Sequence, residues 1–183
     1  MEEKETVSRI QAVEEVRNMA FQFADMYFAF VKIIRERFGD ETAMDIAQRV
    51  LYMRASERAG KMIRKAEEEG FERIPENINR LSDVSYLGWD SSYGIESCPY
   101  GAQWNRRIAT DPWFRKYAAL YCDVTDTTIA EVFTADSSHR LHKNIVLGDD
   151  RCERTYFPSD DVRSGKRTYD PDATESIAMA QLY

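Results

Sequence analysis

What this sequence lacks narrows its function first. No apolar run reaches the roughly 18–20 residues a helix needs to cross a bilayer, so no membrane span is expected. Its 25 Lys and Arg are scattered, and the formal charge is −7. A nucleic-acid surface needs clustered cations to displace counterions, so no nucleic-acid partner is expected. The start, Met1-Glu2-Glu3-Lys4-Glu5, has no apolar signal core, and the expected location is cytoplasmic. There is no Gly-rich phosphate loop, no His-Glu-x-x-His and no Ser-centred nucleophile elbow. There is no Cys-x-x-Cys either, which argues against a structural zinc ribbon. Cysteine itself is scarce. Three is an odd number that cannot be fully paired within the chain, so free thiols or ligands are expected in a reducing compartment.

What is present suits one soluble globular domain. The chain has 183 residues, 43% hydrophobic and 31% charged, enough for a sizeable core. Residues 7–37 read as a long helix. Val13, Val16, Ala20, Phe23, Tyr27, Phe30, Ile34 and Phe38 recur at spacings of three and four. Phe21, Phe28 and Val31 widen that stripe, which predicts burial on more than one side. Gly39 stops the helix, and Asp40 is the expected N-cap of a second one over 41–69. There Ala43, Ile46, Ala47, Val50, Leu51 and Met53 are expected inside.

After residue 75 the pattern shortens. Residues 84–87 and 93–97 read as strands joined through Gly88-Trp89-Asp90-Ser91-Ser92. Asp111-Pro112 predicts a helix start that runs to about Ala130. Residues 140–147 and 151–157 read as strands hinged at Gly148-Asp149-Asp150. The expected fold class is α+β: two long N-terminal helices on a small antiparallel sheet. The core spans 7–157, and a polar tail over 158–183 closes with a short helix at 174–183.

The three cysteines sit at element boundaries beside polar or turn-forming residues: Glu96-Ser97-Cys98-Pro99, Tyr121-Cys122-Asp123 and Gly148-Asp149-Asp150-Arg151-Cys152. That pattern suits either a nucleophile with acid–base partners or a metal-ligand set. Pro99 is a good first helical residue, so Cys98 is the expected N-cap, where the helix dipole favours thiolate. Cys122 and Asp126 are four apart on one helix face, with Asp123 toward the rim. Gly148 can take a positive φ, and Asp149 can bond nearby backbone N–H groups. Arg151 should face opposite Cys152 on an alternating strand. His139 and His142 precede the turn, and one of them is a candidate general base. Each motif also has a plain structural reading as a core thiol, a hairpin turn or a surface histidine.

In order and spacing, Cys98-Pro99, Cys122 to Asp126 and Gly148-Asp149-Asp150-Arg151-Cys152 resemble the L-2-amino-thiazoline-4-carboxylic acid hydrolase family. The resemblance covers roughly residues 10–157. The last motif also resembles the cysteine-bearing end of 4-vinyl reductase-type small-molecule-binding domains. One departure stands out: family members often continue Cys-Asp-Phe, where this chain has Cys152-Glu153-Arg154. The resemblance implies ring opening of a cyclic isothiourea to an N-carbamoyl amino thiol. It implies Cys98 as nucleophile, or a zinc held by Cys98, Cys122 and Cys152 that activates water. Asp126 would be the acid–base in either scheme, with His142 moving a proton and Arg151 gripping the substrate carboxylate. The competing readings are a non-catalytic small-molecule or metal sensor and a helical interaction protein. A small-molecule substrate is the expected partner, and a homo-oligomer is compatible with the chain.

Overall fold

The computed structural model describes residues 6–166. The first long helix, α1, spans Arg9–Phe38, and Ser8 caps it by accepting from the Gln11 amide. Gly39 ends it at φ 84°, and the second helix, α2, follows at once over Asp40–Glu69. Gly39 itself occupies the N-cap of α2, so Asp40 is one residue further in than expected. Asp40 instead receives Arg35, Lys116 and the Tyr117 hydroxyl. Those partners hold its carboxyl down at about 2, the Lys116 hydrogen bond contributing most.

No strand forms over 83–97. A short helix, α3 (Ile78–Leu81), is followed by 3-10 turns at Tyr86–Gly88 and Ser91–Glu96. The sequence reading took these aromatics for sheet. The backbone is satisfied locally instead: the Leu87 amide donates to Ser85 and the Ser92 amide to Asp90. A distant residue completes the segment. Arg17 of α1 is buried and donates to the Gly88 carbonyl at 2.8 Å and the Glu96 carbonyl at 2.9 Å. Its guanidinium also lies 3.8 Å from the Tyr93 ring centroid. With these carbonyls taken by a guanidinium, no ladder partner is needed.

Helix α4 spans Pro99–Thr110, with Cys98 as N-cap and Pro99 in the first turn. Pro112–Phe114 is a 3-10 turn, and α5 then runs Arg115–Thr134, one turn further than expected. Asp111 does not cap the backbone there; its carboxylate accepts from the Trp113 indole and the Thr110 hydroxyl. The sheet is one hairpin, β1 (Ser137–Lys143) antiparallel to β2 (Glu153–Pro158), with Leu141 opposite Arg154. Its connection holds a 3-10 turn at Ile145–Leu147, then Gly148 at φ 104°. Asp149 accepts from the Asn144 amide at 2.7 Å. A last helix, α6, is Asp160–Arg163. The helix expected at 174–183 lies outside the described residues.

The fold is α+β, with two long helices and a small antiparallel sheet. The sheet rests on α5, and α5 packs along α2. The buried face of α2 is small and regular, with Ala43, Ala47, Ala55, Ala59 and Ala66 around Leu51 and Met62. Alanine there lets α5 approach closely. Around Trp104, Phe114, Tyr117 and Leu120, all fully buried, α1 and α4 close the core. No helix among the described residues is long and apolar enough to cross a membrane.

The outer face of α1 departs from expectation. Val13, Ala20, Ala24, Phe28 and Val31 are buried, whereas Phe23, Phe30 and Phe38 are exposed. On α2, Val50 and Met53 are likewise exposed. The helix is therefore covered on one side, not two.

Candidate functional site

Cys98, Cys122 and Cys152 come from three separate elements and pack against the same core cluster. All three are free thiols of intermediate exposure. Cys98 caps α4, and its sulfur accepts from the Gly101 amide at 3.4 Å. The α4 start is held close to the hairpin connection. A Cβ on Gly101 would lie 2.4 Å from Ile145 Cδ1, so only glycine fits that contact. Cys122 and Asp126 share one face of α5. Cys152 sits just before β2, and alternation along the strand puts Arg154 on its side of the sheet.

The groups sense one another. Burial pushes the Cys98 thiol above its usual range, and Cys152 and Asp126 push the same way. Hydrogen bonds from Gly101 and Trp89 oppose this without overcoming it. Cys122 is pushed well up, first by burial, then by Asp126, Cys98 and Cys152. The N-cap position of Cys98 is thus as expected, but its consequence is reversed. Desolvation outweighs the helix start, so Cys98 and Cys122 favour the thiol form.

A carboxylate–arginine pair borders the thiols. Arg154 lies 3.0 Å from Asp126, with side chains 43% and 27% exposed. The Asp126 charge is the main reason the Arg154 guanidinium is held even more firmly protonated than usual. A second pair, Arg58 of α2 with Asp83 at 2.7 Å, acts on the same tyrosines as the first. Tyr86, Tyr100, Tyr121 and Tyr156 link the two pairs. Burial raises each phenol, and each responds to Asp126, Arg58 or both. The phenols therefore stay neutral and serve as hydrogen-bonding walls.

Two residues predicted to bind substrate lie elsewhere. Arg151 is exposed and engaged by Asp150 and Glu153. His142 is exposed and meets the Thr155 hydroxyl at 2.8 Å. Asp123, expected at the rim, is buried. Arg154 is the cation that acts on the thiols, and Arg58 acts on the tyrosines beside them; the motifs pointed to neither. The signal for Arg154 was present, since the alternation that turned Arg151 away from Cys152 also turns Arg154 toward it. Nothing local marked Arg58.

His139 lies beneath the site, fully buried. Its Nδ1 is 3.4 Å from the Thr127 hydroxyl, and its Nε2 has no hydrogen-bond partner among the described residues. Burial pushes its pKa down to about 4. Among the described residues no group of three or more His, Cys, Asp or Glu is arranged to hold a metal ion.

Comparison with known proteins brings no match: no protein-family model, no curated protein and no solved structure is similar to the chain. The resemblance to thiazoline hydrolases rests on the three cysteine motifs alone.

The cluster makes one prediction. Asp126→Asn removes a charge that raises both Cys98 and Cys122. Alkylation of these two thiols by iodoacetamide at pH 8 should accelerate severalfold, read by peptide mass spectrometry. An unchanged rate would mean that burial alone sets their reactivity.

Proposed function

We propose that the chain is a hydrolase that opens a small cyclic C–N compound of the 2-amino-thiazoline-carboxylate type. The observation that carries this reading is that three free cysteines from separate elements, Cys98, Cys122 and Cys152, pack against one core cluster, with Asp126 close enough to raise both Cys98 and Cys122. The Asp126 charge raises the cost of ionising Cys98 and Cys122, so a ligand that suits the site brings positive charge. A protonated cyclic isothiourea does so. Bound beside Asp126, it lowers the cost of a Cys98 thiolate, and the substrate thereby activates its own nucleophile.

The Cys98 sulfur then forms a bond to the ring carbon between nitrogen and sulfur. The ring C–S bond breaks, and the Cys98 proton reaches the departing sulfur by way of Asp126. This leaves an S-linked isothiourea on Cys98. Water adds to the same carbon, the Cys98 sulfur leaves as thiol, and the product is an N-carbamoyl amino thiol. The Gly101 amide and the α4 N-terminus face charge developing near Cys98. Arg154 takes the carboxylate-binding role first expected of Arg151.

A second reading, a non-catalytic small-molecule-binding domain, is favoured by the burial that disfavours thiolate at Cys98 and Cys122. Incubation with 2-amino-thiazoline-4-carboxylate separates the two. Product one water heavier, with a new titratable thiol, supports the hydrolase. Saturable calorimetric binding without product supports the binding domain. Neither binding nor turnover overturns both.

A further inference from the structure

The outer face of α1 carries Met19, Phe23, Met26, Phe30 and Ile33, at spacings of four, three, four and three. They are between 44% and 70% exposed. Val50 (51%) and Met53 (55%) of α2 extend the patch. Between the two helices lies an apolar groove of about 470 Å³, lined by Phe23, Met26, Phe30, Val50 and Met53 among others. Monomers rarely leave apolar patches beyond a few hundred Å² uncovered. Seven large side chains, each leaving on the order of 100 Å² outside, approach the roughly 800 Å² per partner of a standard interface.

The spacing says what shape covers it. Alternating steps of four and three form a heptad seam, whose natural occupant is another helix with the same repeat. The two ends of the seam are also equidistant from its centre. Met19 and Ile33 each lie seven residues from Met26. When a second α1 runs antiparallel across Met26, Met19 meets Ile33, and Phe23 and Phe30 interleave. Charge selects the same register. Glu15 lies four residues before the stripe and Arg37 four residues after it, both exposed. In the antiparallel arrangement each Glu15 faces Arg37 of the other copy. In a parallel one, Glu15 meets Glu15 and Arg37 meets Arg37. A twofold axis doubles every such contact.

From this we infer that the α1–α2 face is the interface of a homodimer, with the two α1 helices antiparallel about Met26. The groove also reaches Arg58 and Tyr121 beside the candidate site, but the inference does not require the chemistry at the thiols.

Sedimentation of the full chain tests it. The expected mass is twice that of one chain. Phe30→Glu should yield a monomer with unchanged circular dichroism, because Phe30 contributes little to the folded core. Glu15→Arg and Arg37→Glu should each weaken the dimer by about tenfold or more. The two together, which restore opposite charges across the axis, should recover it. A chain that stays monomeric at every accessible concentration overturns the proposal; if that monomer's groove takes up an apolar dye, the face belongs to a small ligand. A dimer indifferent to Phe30→Glu overturns it too. Failure of the paired charge swap to recover the dimer overturns the antiparallel register.

Discussion

Cys98→Ala should lower turnover of 2-amino-thiazoline-4-carboxylate by about 10³-fold or more, the scale on which loss of a covalent nucleophile acts. Cys98 has two roles, and the variants must separate them. Its sulfur caps α4 by accepting from the Gly101 amide. Removing a cap costs about 0.5–2 kcal/mol, so Cys98→Ala should also melt somewhat lower. Cys98→Ser keeps an acceptor at the N-cap and should restore the melting temperature. It should not restore turnover, because a hydroxyl is a far weaker nucleophile than a thiolate. Cys122→Ala and Cys152→Ala should cost less, since neither sulfur sits at a helix start. Cys152→Ala also removes a group whose ionisation would oppose that of Cys98, an effect in the opposite direction. Full activity in Cys98→Ala would end the nucleophile reading. Full activity in Cys98→Ser alone would reduce the residue to a cap.

Stability should fall by about 3 kcal/mol between pH 6.5 and pH 4, and His139 should account for most of the loss. The imidazole is fully buried, and burial lowers its pKa from 6.5 to about 4. In the unfolded chain it takes a proton near pH 6.5, whereas the folded chain resists until about pH 4. Within that window the unfolded state binds more protons, so stability falls as pH falls. The size follows from the shift, at about 1.4 kcal/mol per pH unit. Above pH 6.5 and below pH 4 this contribution is flat. A further loss begins below pH 4 as Asp40, held at about 2 by Lys116 and Arg35, becomes protonated. Urea unfolding at pH 7, 5.5 and 4 measures the slope. His139→Asn should flatten it, whatever the variant does to stability at pH 7. An undiminished slope in that variant would place the acid sensitivity elsewhere.

The sequence by itself determined what depends on a few neighbouring residues. Both long helices were legible because their periodicity runs over many turns and Gly39 and Gly70 stop them. Cys98-Pro99 as a helix start, Cys122 and Asp126 on one face, and the Gly148 turn were legible for the same reason. Each is a matter of contacts within about four residues, where backbone geometry alone sets the outcome. Even Arg154 was within reach, since strand alternation is local.

Tertiary structure decided the rest. The aromatics of residues 84–97 suit strands, yet Arg17, some 71 to 79 positions earlier, takes the carbonyls at Gly88 and Glu96. The apolar faces of α1 could be ranked only once α2, α4 and α5 had covered one of them. The thiols show the difference most directly. A helix start favours a Cys98 thiolate, but burial, with Cys152 and Asp126 nearby, reverses the balance. Desolvation and charge coupling are sums over whatever the fold brings near, and no spacing along the chain encodes them. Periodicity places a side chain on its element; only packing decides which other elements, and which charges, it meets.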